Sequence, residues 1–249
     1  MTARLTGIWR HPIKAHGRDA LERVGLTPGA TLPWDRAWAV AHEAAAADGS
    51  AWAPCSEFTR GAKAPALMAI TAELDPATET VTLRHPERPA ITFRPDHDGA
   101  AFLDWVRPLM PEGRAAPARL VRAPGRGRGM TDTDFPSISI CNHASHRAVE
   151  GRHGRPLSPH RWRGNLWVEG LAPWEEFDLV GREIRVGAAR LRVVERTGRC
   201  RATTANPETG RVDIDTLALL REWGHEDFAV YAEVVEGGEI AVGDRVAPA

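Results

Sequence analysis

Residues 197–210 read TGRCRATTANPETG, a thiol set between two guanidiniums just after a glycine. Positive potential from Arg199 and Arg201 favours the thiolate of Cys200, the form required of a nucleophile or a soft-metal ligand. A packed core cysteine with two outward arginines fits the same spacing, because free cysteine is among the most buried residue types. The residues alone leave both readings open. Lys14 is the second candidate: among 32 basic residues only it and Lys63 are lysine. Where arginine is the default cation, a lysine is either surface drift or a compact ammonium doing what the planar guanidinium fork does not mimic.

Other groupings carry less chemistry. CNHASH, 141–146, brings together Cys141, His143 and His146, with His153 and His160 downstream. These are zinc-ligand types, but Cys141 closes a strand and points away from the helical face of the two histidines, and neither HExxH nor CxxC accompanies them. A buried cysteine with solvated histidines is expected. There is no GxSxG elbow for a serine hydrolase, and the carboxylate pairs Asp132/Asp134 and Glu175/Glu176 read as solvated loop charges. GRGRG, 125–129, lacks the Lys-Ser/Thr of a phosphate loop and reads as a flexible basic loop.

The elements that position these residues are mostly short strands. RLTGIWRHPI, DRAWAVAH, ETVTLRH, AITFRP, PSISI, NLWVEG, EDFAVYAEVV and GEIAVGDRV are strand-like and broken by Gly and Pro at regular spacing, a pattern of barrel-like β structure. EIRVGAARLRVV alternates apolar and polar residues about a glycine and reads as a hairpin that delivers the chain to Cys200. Helices are expected at 99–110, with Phe102, Leu103, Val106 and Leu109 or Met110 on one stripe, at 142–154, and at 213–224, with Asp213 or Asp215 as N-cap and Gly224 beyond its end. Residues 114–134, rich in Gly, Pro and Arg, are the natural domain connection, and 44–65, around Cys55, reads as a surface excursion. The expected fold class is mainly β with a few helices.

With 249 residues, 43% hydrophobic, the chain can bury a substantial core in one large or two modest domains. A formal charge of -1 gives no global field for nucleic acid or an anionic membrane, so neither is expected as a partner. No segment approaches the length of a membrane helix, and the start has no apolar core of signal-peptide length, so a cytoplasmic location is expected. Three widely spaced cysteines, Cys55, Cys141 and Cys200, argue against a disulfide framework, and they cannot supply the four thiolates of an ordinary iron–sulfur cluster. Redox chemistry here needs electrons from elsewhere.

The order of several segments resembles one family. HPIKAHG (11–17), WDRAWAV (34–40), TDFPSISI (133–140), HRWRGNLWVEG (160–170), the long run 175–210 through GRC and NPETG, and GEIAVGDRV (238–246) follow one another as in MOSC proteins. The resemblance covers nearly the whole chain and is similar to the amidoxime-reducing component family. It implies an N-terminal MOSC β-barrel domain over 1–118 and a β-barrel MOSC domain over 119–249. It also implies the molybdenum cofactor (Mo-molybdopterin), with Cys200 as the protein sulfur on the metal and as the catalytic centre. Lys14, Ala15, Arg36, Ser137, Arg163, Asn165, Gly198 and Arg199 fall at cofactor-binding positions. Ala15 stands where relatives carry a small hydroxyl or cysteine, Gly198 where they carry Ser or Thr, and their tyrosine near the site falls closest to Phe228. The implied activity is a molybdenum-dependent oxidoreductase acting on N-hydroxylated small molecules. As the chain closes on the GDRV strand, its electrons are expected from a separate ferredoxin or flavin reductase. The alternative is a cofactor or sulfur carrier without turnover.

Overall fold

The computed structural model describes residues 3–125 and 127–249; Arg126, within the GRGRG loop, lies outside the described residues. The first half runs β1 (Ala3–Arg10), β2 (Asp19–Leu21), β3 (Arg23–Leu26), β4 (Trp38–His42), β5 (Thr71–Asp75), β6 (Thr80–His85), β7 (Arg88–Phe93), α1 (Gly99–Val106) and β8 (Pro117–Arg122). The second half runs β9 (Ile138–Asn142), α2 (His143–His153), β10 (Leu166–Glu169), β11 (Glu183–Val186), β12 (Ala189–Gly198), α3 (Thr216–Arg221), β13 (Asp227–Glu236), β14 (Gly238–Ala241) and β15 (Arg245–Pro248).

Seven strands close into a barrel in the order β10-β9-β13-β12-β11-β15-β1, with β1 pairing back onto β10. Strand β1 comes from the opposite end of the sequence to its companions. Its alternation buries Ala3, Leu5 and Ile8, giving it an apolar face that only the barrel interior can cover. There these residues meet Ile138, Ile140, Leu166, Val168, Ile184, Val186, Leu191, Val193, Val230 and Val246. Each such aliphatic side chain contributes about 1.5–3 kcal/mol when fully buried. All barrel pairs are antiparallel except β9–β10, whose parallel register requires the α2 crossover.

The remaining strands pack beside the barrel. Strands β5-β6-β7 form a meander and β4 pairs with β8, and Ile13, Trp38, Val40, Leu83, Phe93 and Phe102 fill the core beneath α1. Residues 117–122, expected within a linker, are therefore strand β8, paired in register from Trp38↔Arg122 to Ala41↔Arg119. Strand partners thus cross the sequence division at 118/119 at both β1 and β8. The helices fall where the periodicity places them. Asn142 caps α2 through its side chain to Ala144 N, and Gly154 ends it at φ 78; Asp215, not Asp213, caps α3. No helix among the described residues is long and apolar enough to cross a membrane.

Candidate functional site

Where the barrel meets the smaller sheets there is a cavity of about 290 Å³, lined among others by Lys14, Ala15, Arg36, Arg163, Gly198, Arg199 and Cys200. Its walls come from turns laced to one another by backbone groups. His11 N donates to Asp35 Oδ1 (2.7 Å), Arg36 N to His11 O (2.6 Å) and Lys14 N to Trp38 O (2.8 Å). Three of the lining residues are left-handed: Ala15 at φ 64, Arg36 at φ 53 and Arg163 at φ 49. Such a conformation costs a non-glycine residue roughly 1–2 kcal/mol, and its recurrence around one cavity marks a place where binding geometry outranks local comfort.

The cavity is cationic. Lys14 Nζ donates to Met130 O (2.7 Å) and to Asp132 Oδ1; burial pulls its ammonium below the ordinary lysine range despite that carboxylate. Arg36 pairs with the buried Asp35 and donates to Arg163 O (3.3 Å). Arg163 donates Nη1 to Gly17 O (3.2 Å), but its solvent-shielded Nη2 has no partner among the described residues. Burial, then repulsion from Arg36, pulls Arg163 down to about 9. Like charges gathered with a spare donor make a site that an incoming anion relieves.

Cys200 arrives at the end of β12. Register shifts against β13 between Val193 and Glu195 and between Arg196 and Gly198 twist the strand end outward, and the chain then turns into a 3-10 turn over Arg201–Thr204. Its thiol is exposed rather than packed in the core. Arg199 donates Nε (2.8 Å) and Nη2 (2.5 Å) to Phe228 O and Nη1 (2.9 Å) to Trp162 O. Most of its fork is thus spent on carbonyls: it clamps the Cys200 turn and lends charge, rather than offering a free donor pair to an anion.

The ordered motifs now have a frame, and family models match both parts of it: the MOSC N-terminal beta barrel domain over residues 2–110 and the MOSC domain over 130–247. The chain belongs to the MOSC family. It is 30% identical over 126 residues to mitochondrial amidoxime-reducing component 1 of Xenopus laevis, covering 45% of this chain and 36% of that relative, so the match spans little more than a third of the relative's length. Among solved structures, YUAD protein from Bacillus subtilis aligns over 99% of this chain and 94% of its own at 13% identity and TM-score 0.46. YiiM from Geobacillus stearothermophilus aligns over 45% and 53% at 19% identity and TM-score 0.35.

Two residues expected at the MOSC site stand behind it. Asn165 rivets the barrel closure: its Oδ1 accepts from Ser139 N (3.1 Å) and Oγ (2.9 Å), and its Nδ2 donates to Trp9 O (3.0 Å). Ser137 Oγ hydrogen-bonds Thr133 Oγ1 (2.7 Å) within a run of hydroxyls that braces the Asp132 turn. Gly198 is not enforced by crowding, since a Cβ there meets nothing nearer than Asp227 Oδ1 at 3.8 Å.

Other residues enter unexpectedly. Tyr231, not Phe228, lines the cavity; burial, then Asp132, pushes its hydroxyl up to about 12, so it stays protonated. Phe228 instead stacks on Trp162 at 3.9 Å between ring centroids, and left-handed Ala229 (φ 75) sits between these two orientations. Cys55, expected on a surface excursion, lines the cavity and accepts from Arg60 Nη1 at 3.1 Å. Asp132, expected in a solvated loop, lines it too. Glu176 is buried, not solvated, and bonds Asn142 and Ser145 (both 2.8 Å). His146 is likewise buried, its ring nitrogens paired with Leu157 O (3.0 Å) and Trp162 Nε1 (3.0 Å). Burial pushes Cys141 up to about 12, and no group of three metal-ligating side chains occurs among the described residues.

Proposed function

We propose that the cavity holds the molybdenum cofactor, Mo-molybdopterin, and that the protein is a molybdenum-dependent oxidoreductase reducing N-hydroxylated small molecules. The observation that carries this reading is the convergence on one cavity of the exposed Cys200 thiol, the buried Lys14 ammonium and the half-buried Arg36 and Arg163 guanidiniums, with Arg163 Nη2 unpartnered among the described residues. The residues fit the group: a thiolate is a soft ligand for the metal, and an ammonium beside guanidinium forks suits a phosphate tail. When bound, the cofactor supplies two-electron oxygen-atom chemistry at an open metal position. Around it, Arg199 fixes the turn that presents Cys200, Arg36 and Arg163 orient the anionic tail, and Tyr231 keeps its proton at the cavity wall.

The substrate class is supported by the similarity to a protein named for amidoxime reduction. Reduction of an N–OH group to N–H and water takes two electrons and two protons. The electrons come in this proposal from a separate ferredoxin or flavin reductase. Three free cysteines suit a reducing compartment and support a cytoplasmic location.

The test is to purify the protein from a molybdenum-replete host and from one unable to make the cofactor, then measure metal, pterin and N-hydroxylated substrate reduction with an artificial electron donor. Molybdenum near one per chain with turnover is expected, both lost in Cys200→Ala. Full loading without turnover would replace the enzyme with a cofactor carrier, and no metal from either host would end both readings.

A further inference from the structure

Asp132 is the only carboxylate among the described residues that line the cavity, and it sits where an anionic ligand belongs. It pairs with Lys14, whose side chain is 5% exposed, while its own is 56% exposed toward the open cavity. Partial desolvation by the cavity walls opposes its ionisation, but Lys14, then Arg36 and Arg163, outweigh this and hold its carboxyl below the ordinary aspartate range. The turn that carries it is braced on both sides: Thr131 Oγ1 donates to Thr133 O (3.2 Å) and Thr133 Oγ1 to Phe135 O (2.8 Å). Asp35 answers Arg36 from behind the cavity wall and Asp132 answers Lys14 from within it, while Arg163 Nη2 is left without a partner among the described residues.

We propose that Asp132 is a built-in counter-anion that makes the site selective for dianions over monoanions. A carboxylate or halide entering from solvent exchanges one negative charge for another and competes with a group tethered at high effective concentration. It gains nothing by displacing Asp132 from Lys14. A phosphate monoester brings a second charge and three acceptor oxygens, enough to engage Lys14, Arg36 and the spare Arg163 donor together while Asp132 swings into the cavity mouth. The residue is thus a specificity filter for the ligand's anionic tail. This rests on the reading of the cavity as a site for an anionic cofactor.

The cofactor-free full-length chain is titrated with inorganic phosphate and with acetate by calorimetry, at constant ionic strength and a mildly alkaline pH where phosphate is a dianion. The wild type is expected to bind phosphate and not acetate. Asp132→Asn is expected to bind phosphate about tenfold or more tightly, from loss of the competing charge, and to bind acetate measurably. Asp132→Glu, which retains the charge, is expected to keep the discrimination, and thermal unfolding checks that each variant is folded. Equal or weaker phosphate binding in Asp132→Asn, or acetate still excluded, overturns the filter while leaving the anion site standing. Phosphate bound by neither protein overturns the filter and the anion site together.

Discussion

On β9 and β13, Ile138, Ile140, Val230 and Ala232 point into the barrel, while Ser139 and its register partner Tyr231 face the cavity. The two sides of these strands obey different rules. The inner side is aliphatic and closed, its polar backbone consumed by the ladder. The outer side gathers like charges, left-handed residues and a donor without a partner. Folding energy is therefore concentrated in the barrel, and the seam is free to carry strain that only a bound ligand relieves.

That division can be broken or sharpened in order of expected effect. Leu191→Ala, inside the barrel, should cost about 3–4 kcal/mol in denaturant unfolding and leave phosphate affinity unchanged; a parallel loss of affinity would mean the two regions are not separable. Next in size is a pH effect at His16, buried beneath the cavity with Nδ1 against Lys14 O (2.6 Å). Burial lowers it from 6.5 to about 4. Because the unfolded chain binds this proton more readily, stability should fall as pH drops from 6.5 to 4 and level off below, by about 3 kcal/mol in all. Thermal unfolding across that range should be flatter in His16→Asn.

Arg163→Met removes a half-buried cation that nothing fully answers. It should stabilise the cofactor-free protein by about 1–2 kcal/mol and abolish the rise in melting temperature that phosphate gives the wild type. Destabilisation would show that the Gly17 contact outweighs the repulsion from Arg36. Smallest is Ala15→Gly, which relieves a left-handed alanine and should stabilise by up to about 1 kcal/mol, read as a small upward shift in melting temperature.

Alternation and turn residues made most strands legible, and cap residues made the helices so. What escaped was set by distance or by shortness. Strand β8 hides in an Arg- and Pro-rich stretch whose burial depends on β4, and nothing local in β1 names β10 as its neighbour. At the site, the contiguous motifs around Lys14, Arg36, Arg163 and Cys200 carried most of the geometry. Asn165 and Ser137 were expected at the site from the family resemblance, which aligns positions but does not say whether a polar side chain turns toward the cavity or toward a neighbouring strand. The resemblance set the family's tyrosine closest to Phe228, whereas Tyr231, beyond the left-handed Ala229, lines the cavity. Asp132 and Cys55 carry no motif at all; only the closing of the two halves over one cavity gives them a role.

The pairing of β1 with both β10 and β15 has a consequence for how the protein is made. On the ribosome β1 is translated before all six of its barrel companions, so an aliphatic strand must wait, unpaired, until the last of them emerges. Its native contacts are among the longest in the chain, and contacts of that separation form slowly. The β5-β6-β7 meander and the β4–β8 pair can assemble in the meantime, but the barrel, and with it the wall that carries Cys200, closes only after β15 has emerged. During that interval β1 presents an uncovered apolar face and unpaired edges, the kind of surface that favours aggregation.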